Sequence, residues 1–229
     1  MLPWEHIGKG SAPDGTVLEL RRRGREYLIL AAGYDLMSSE DDVSSRALAN
    51  LGCAHLDARV PARVLVGGLG MGFTLRAALD GVGPSACVEV AELVPVVAEW
   101  NRGLLSELAG KPLDDERAVL HLEDVGARIR RAQSAYHAIL LDVDNGPDAL
   151  AHADNQALYS QLGVKEAWSA LVPGGVFGVW SFSDDKPFTA RLGRQGFRVE
   201  VHRMSASRKG RGRYHYVWVA RRPTLSSPA

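Results

Sequence analysis

Three kinds of residue in this chain are spaced for chemistry. The first is glycine. Gly68, Gly70 and Gly72 form G-x-G-x-G directly behind the apolar run Val64-Leu65-Val66. Glycine lets backbone approach a ligand closely, because any Cβ would intrude. The helix-compatible residues that follow (Leu75, Ala77, Ala78, Leu79) put a helix N-terminus there, with free N–H groups and the positive end of the dipole. The second kind is an acid at the end of a short strand. Glu89 lies in Ala86-Cys87-Val88-Glu89-Val90, and Asp124 follows the run Ala118 to Leu122. A carboxylate at the tip of a second strand suits the two hydroxyls of a ribose. An acid at the third tip can accept from an adenine amino group, and Asp124 suits equally the N-cap of the next helix. The third kind is the pair Asp142 and Asp144, behind the apolar run His137 to Leu141. In an open α/β sheet the reacting groups sit outside the carboxyl ends of the strands. The competing reading makes both aspartates turn residues, since Asn145-Gly146-Pro147 follows them.

These residues need elements to hold them. Thr16 to Leu20 and Glu26 to Ala31 read as a hairpin around the charged turn Arg21 to Arg25. A helix is expected from about Asp41 to Leu56, capped by Ser38 or Ser39, with acids at its positive end. Further helices are expected over Leu93 to Leu108, Val125 to Gln133, Asn155 to Leu171 and Phe188 to Gln195. Pro173-Gly174-Gly175 reads as the stop of the long one. Strands are expected at Val176 to Ser181, Phe197 to His202 and Tyr214 to Ala220. Between the last two runs a basic stretch, Arg208, Lys209, Arg211 and Arg213 among Ser and Gly. It reads as a solvated hairpin loop.

The bulk properties exclude several classes. Hydrophobic residues make up 46% and charged residues 24% of 229, which suits a soluble globular domain of one main core. Net charge is zero, so nothing global points to nucleic acid or an anionic membrane as partner. Cys53 and Cys87 stand far apart without metal-ligand spacing, which argues for a cytoplasmic protein with no metal site. No secretory leader and no apolar run of membrane-spanning length is read in the sequence. A dinucleotide fingerprint would need glycine where Phe73 stands, and a P-loop would need Gly-Lys-Ser/Thr, which is absent.

The order glycine motif, Glu89, Asp124, Asp142-Val143-Asp144, then Leu171 to Val176 and a closing hairpin resembles the class I methyltransferase fold, and within it the spermidine synthase-like branch. Leu75-Arg76 behind the glycines, Gly146-Pro147 behind the aspartates and the N-terminal hairpin carry the closer likeness. The resemblance implies an α/β, Rossmann-like, mostly parallel seven-stranded sheet with an antiparallel last strand. It implies a domain at 58–222, an N-terminal hairpin and helix at 1–57 and a tail at 223–229. It also implies a site for S-adenosylmethionine (SAM) or decarboxylated SAM at Gly68, Gly70, Gly72, Glu89 and Asp124. Asp142, with Asp144 secondary, would face a small-molecule acceptor such as an amine, and a homodimer is compatible with it. Aminopropyltransferases of that branch carry an Asp where Met71 stands and a Gln where Leu36 stands. Methyl transfer is therefore the leading expectation, with aminopropyl transfer and a non-catalytic binding module as alternatives.

Overall fold

The computed structural model describes residues 2–143, 153–205 and 214–224. Two sheets carry the chain. The first holds four antiparallel strands in sequence order: β1 (Glu5–Ser11), β2 (Val17–Arg23), β3 (Glu26–Ala31) and β4 (Tyr34–Ser38). The expected hairpin is its centre. Arg25 stands in the turn, whereas Arg21, Arg22 and Arg23 are in strand and paired: Arg21 with Glu19, Arg22 with Glu5 and Arg23 with Glu26. The inner face of this sheet (Leu18, Leu20, Ile29) packs on Met71, Phe73, Trp100 and Leu105 of the larger unit.

Ser38 accepts from the Glu40 amide and opens a short 3-10 turn, which runs into α1 (Asp42–Cys53). The second sheet has the order β10-β11-β9-β8-β5-β6-β7. Its strands are β5 (Arg63–Gly67), β6 (Cys87–Ala91), β7 (Ala118–His121), β8 (Tyr136–Leu141), β9 (Leu171–Ser181), β10 (Arg198–Ser205) and β11 (Tyr214–Arg221). β5 to β9 run parallel, and β11 lies antiparallel between β9 and β10. This is the mostly parallel seven-stranded sheet expected from the sequence. Its central strands are apolar on both faces (Val64, Leu65, Val66; Ile139, Leu140, Leu141, all fully buried), because helices cover both sides.

The helices are α2 (Phe73–Asp80), α3 (Pro95–Arg102), α4 (Val125–Arg130), α5 (Ala153–Tyr159), α6 (Gln161–Ala170) and α7 (Lys186–Gln195). Three expectations are corrected. The single helix over 155–171 is two, because the Ser160 hydroxyl caps α6 by accepting from the Gly163 amide. Pro173-Gly174-Gly175 does not end a helix but lies inside β9, where the register to β8 shifts and Gly174 takes φ +86°. The helix expected over 93–108 closes at Arg102 and continues as turns. Among the described residues no helix is long and apolar enough to cross a membrane.

Candidate functional site

The sheet order reverses between β5 and β8, and such a switch point opens a crevice at the carboxyl ends of the strands. The glycine turn leaves β5 into that crevice. Gly68, Gly70 and Gly72 all have positive φ (85°, 52° and 84°), a conformation that residues with a Cβ seldom hold. Gly68 is also needed for room: a Cβ there would lie 2.5 Å from the Asp142 carbonyl oxygen. The Asp142 amide in turn donates to the Gly67 carbonyl at 2.9 Å. Glycine thus brings the exit of β5 against the exit of β8. Asn101 of α3 pins the turn from outside, donating to the Gly70 carbonyl at 2.8 Å.

Asp142 sits at the tip of β8, partly exposed to the cleft. Thr74, in the first turn of α2, donates its hydroxyl to Asp142 Oδ2, and it also reaches the Ser45 carbonyl at 3.2 Å. Burial pushes the Asp142 carboxyl above the ordinary range, and the Thr74 and Ser45 hydrogen bonds work against that rise. The cleft is roofed by the N-terminal unit, with Leu36, Met37 and Asp41 over Gly70, Met71 and Phe73. Asp144 and the Arg208 to Arg213 stretch lie outside the described residues.

Glu89 is not at the cleft. β6 runs on to Ala91, so Glu89 stands in mid-strand, level with Leu65 of β5 and Val119 of β7. Its carboxylate is 3% exposed and is taken by Arg63, Arg128 and the Tyr136 hydroxyl. Burial works to raise its pKa, but the two guanidinium groups outweigh it and hold the carboxyl below the ordinary range. The expectation of a ribose contact at Glu89 is therefore corrected, since the carboxylate is buried in mid-strand and both its oxygens are held by Arg63, Arg128 and Tyr136. Replacing Glu89 by Gln should cost about 2 kcal/mol of stability, because Arg128 stays behind with half its partners. A lowered folded-state pKa gives stability that is present above the unfolded value of about 4.3 and fades as pH falls through the folded value. Chemical denaturation at neutral pH and again at low pH checks this: the wild-type advantage should shrink in acid.

The acid at the tip of β6 is Glu92. It is 7% exposed and accepts from the Leu69 amide of the glycine turn and from the Val94 amide, each at 2.8 Å. Burial raises its pKa while those amides lower it. The Gly70 and Leu93 amides also act on this carboxylate, so it ties the glycine turn to the start of α3. Sequence reading passed over Glu92. The signal that marks it is Pro95, which begins α3 and makes Glu92 the last acid before a helix. Leu93 and Leu122, at the tips of the neighbouring strands β6 and β7, are 53% and 54% exposed. Asp124 accepts from the Ala127 amide at 2.7 Å, so it is the N-cap of α4, and its side chain is half exposed beside them. At the tips of β6 and β7, then, stand a carboxylate hydrogen-bonded to the glycine turn, two bare apolar side chains and a second acid.

The strand order defines an α/β fold of the class I methyltransferase type. Among solved structures, the chain is similar to spermidine synthase bound to the transition-state analogue AdoDATO (TM-score 0.72, 18% identity, 96% of this chain and 73% of that one). It is also similar to the spermidine synthase of Thermotoga maritima (TM-score 0.73, 20% identity, 96% and 74%). A probable spermidine synthase of Corynebacterium glutamicum aligns with TM-score 0.66 at 18% identity over 97% and 82%. In sequence the chain is 36% identical over 145 residues to polyamine aminopropyltransferase 2 of Pseudomonas aeruginosa, covering 57% of this chain. It spans 37% of that relative's length. No family model matches the chain. The chain thus shares the fold of these spermidine synthases, and 145 of its residues are similar in sequence to a polyamine aminopropyltransferase.

Proposed function

We propose that this protein transfers an alkyl group from an adenosyl sulfonium to an amine, in the manner of an aminopropyltransferase. The observation that carries the reading is the 36% identity to polyamine aminopropyltransferase 2 over 145 residues. Decarboxylated SAM then ranks ahead of SAM as donor, which reverses the order expected from the sequence. The sulfonium supplies an activated carbon: the acceptor nitrogen bonds to it with its lone pair, the carbon–sulfur bond electrons stay on sulfur, and a thioether leaves.

The residues of this chain supply position and charge. Glu92 would accept from the ribose hydroxyls, with Leu93 and Leu122 flanking the base and Asp124 receiving its amino group. Gly68 and Gly70 would keep the turn close to the sugar and sulfur. Asp142, across the switch point, would hold the acceptor amine, balance the positive charge that grows on nitrogen and take up the proton lost. The roof of Leu36 and Met37, over Phe73, would exclude water from the reacting centre.

Methyl transfer keeps one observation in its favour. Met71 is 4% exposed and lines the cleft at the position where the resemblance asks for a carboxylate to hold a donor amine. Product analysis separates the two. The full chain is incubated with an amine mixture and either decarboxylated SAM or SAM. Aminopropyl transfer yields 5′-methylthioadenosine from the first donor only. Formation of S-adenosylhomocysteine from the second, with no methylthioadenosine from the first, establishes the methyl reading instead.

A further inference from the structure

Asp142 is gripped from three elements. Its amide is fastened to β5 through the Gly67 carbonyl. Its carboxyl is met from α2 by the Thr74 hydroxyl, which donates to Oδ2, and from α1 by the Ser45 hydroxyl. Thr74 is 1% exposed and stands in the first turn of α2, whose N-cap is Gly72. The carboxyl is therefore tied to the helix that leaves the glycine turn. A β-branched side chain has few χ1 choices in a helix, so this hydroxyl is held in place. The Ser45 carbonyl also lies within its reach at 3.2 Å, but one hydroxyl carries one proton, and the carboxylate is the nearer acceptor. Ser45 lines the cleft, and its buried neighbour Ser44 meets His215 Nδ1 at 2.8 Å. Successive residues of a helix point about 100° apart, so α1 reaches β11 with one serine and β8 with the next.

Two O–H donors do two things for a carboxylate. They fix its orientation, and they favour its charged form over the protonated one. An amine acceptor needs both. A carboxylate that swings cannot align the nitrogen lone pair with the sulfonium carbon, and one that is protonated cannot balance the charge growing on nitrogen. Burial acts on the same carboxyl in the opposite sense and pushes its pKa up. We propose that Thr74 and Ser45 are positioning residues of the transfer, whose hydroxyls hold the Asp142 carboxylate in the orientation and charge state that receive the acceptor amine. The inference rests on the reading of the cleft as an amine alkyltransferase site. Asp41 and His215 line the same cleft, and the Asp42–Arg46 ion pair flanks Ser45 on α1, with Arg46 over the Phe73 ring. Substitutions at Thr74 and Ser45 leave all four of these groups in place.

Carbon NMR of the full chain, labelled at its aspartate carboxyls, reads the Asp142 pKa directly, with Asp142→Asn identifying the signal. Thr74→Val removes one hydroxyl at similar shape, and Ser45→Ala removes the other. Each should raise the Asp142 pKa by about 1, because a hydrogen bond to the charged form is lost. Thr74→Ser keeps the hydroxyl and should restore the wild-type value. Turnover is followed as 5′-methylthioadenosine released from decarboxylated SAM in the presence of the amine mixture. In Thr74→Val, kcat should fall about tenfold and its acid limb should move to higher pH, while calorimetric binding of 5′-methylthioadenosine stays within about threefold. Should Thr74→Val fail to fold, Ser45→Ala carries the same expectation at a helix position that favours alanine. An Asp142 pKa unmoved by the loss of either hydroxyl overturns the inference, as does a loss of kcat that Thr74→Ser does not rescue. A wild type that releases no 5′-methylthioadenosine overturns the underlying site reading and takes the inference with it, whereas an active wild type with unmoved pKa values overturns the inference alone.

Discussion

Asp142→Asn is expected to lower kcat by about 10²- to 10³-fold while leaving 5′-methylthioadenosine binding within about threefold. The side chains are nearly the same shape. Asn still offers an oxygen to Thr74, so the hydrogen bond that orients the group can survive. What is lost is the negative charge. That charge matters most where nitrogen turns positive, which happens in the transition state and not in the bound nucleoside. The same variant should change the pH profile. Burial pushes the Asp142 carboxyl above its ordinary value, so wild-type activity should fall on the acid side through that raised pKa, as the carboxylate takes a proton. Asp142→Asn should have no such limb. Stability gives a control of opposite sign. A carboxylate with a raised folded-state pKa costs stability at neutral pH, so removing its charge should leave Tm unchanged or higher. A variant with near-normal kcat, or with the acid limb intact, removes Asp142 from the reaction. A variant with a collapsed Tm makes it a structural residue.

Much of this scaffold was legible because its signals are local. The apolar run before Gly68 and the helix pattern after Gly72 mark a strand, a turn and a helix without reference to the rest of the chain. Asp142 follows as the first acid beyond an uninterrupted apolar strand. The N-terminal sheet was only half legible, because β1 reads Glu-His-Ile-Gly-Lys-Gly-Ser. Its glycines look like turn residues, yet they serve packing. A Cβ on Gly8 would lie 2.8 Å from Trp100 Nε1, and one on Gly10 would lie 2.5 Å from Val96. The sheet approaches α3 this closely only where side chains are missing, a tertiary cause that no local pattern carries. The Ser160 break has the same character: one serine cap separates two segments that share an unbroken helical composition. The choice of Glu89 failed by a shift of register. The strand extends to Ala91, so the residue that looked terminal is central, and the arginines that claim it come from β5 and α4.

Glu92→Gln should weaken binding of 5′-methylthioadenosine by about 10- to 100-fold, whereas Glu89→Gln should leave it within about threefold. Glu92 faces two backbone amides, both donors. A carboxylate meets them with two acceptor oxygens, but Gln has one oxygen and one NH2 group. In either flip an N–H confronts an N–H, so the glycine turn or the start of α3 must shift by a few tenths of an ångström. Acceptor capacity toward a ribose is also lost, and hydrogen bonds to a charged group are worth about 1.5–3 kcal/mol each. Both effects act on the nucleoside before any chemistry, so they should appear in Kd and in the KM of the donor more than in kcat. Glu89→Gln touches only the cluster of Arg63, Arg128 and Tyr136, so its cost should fall on stability. Calorimetric titration and denaturation of the two variants side by side give four numbers with opposite expected patterns. If Glu89→Gln loses the nucleoside and Glu92→Gln keeps it, the sugar lies along mid-strand β6 and the placement of the donor against the glycine turn is wrong.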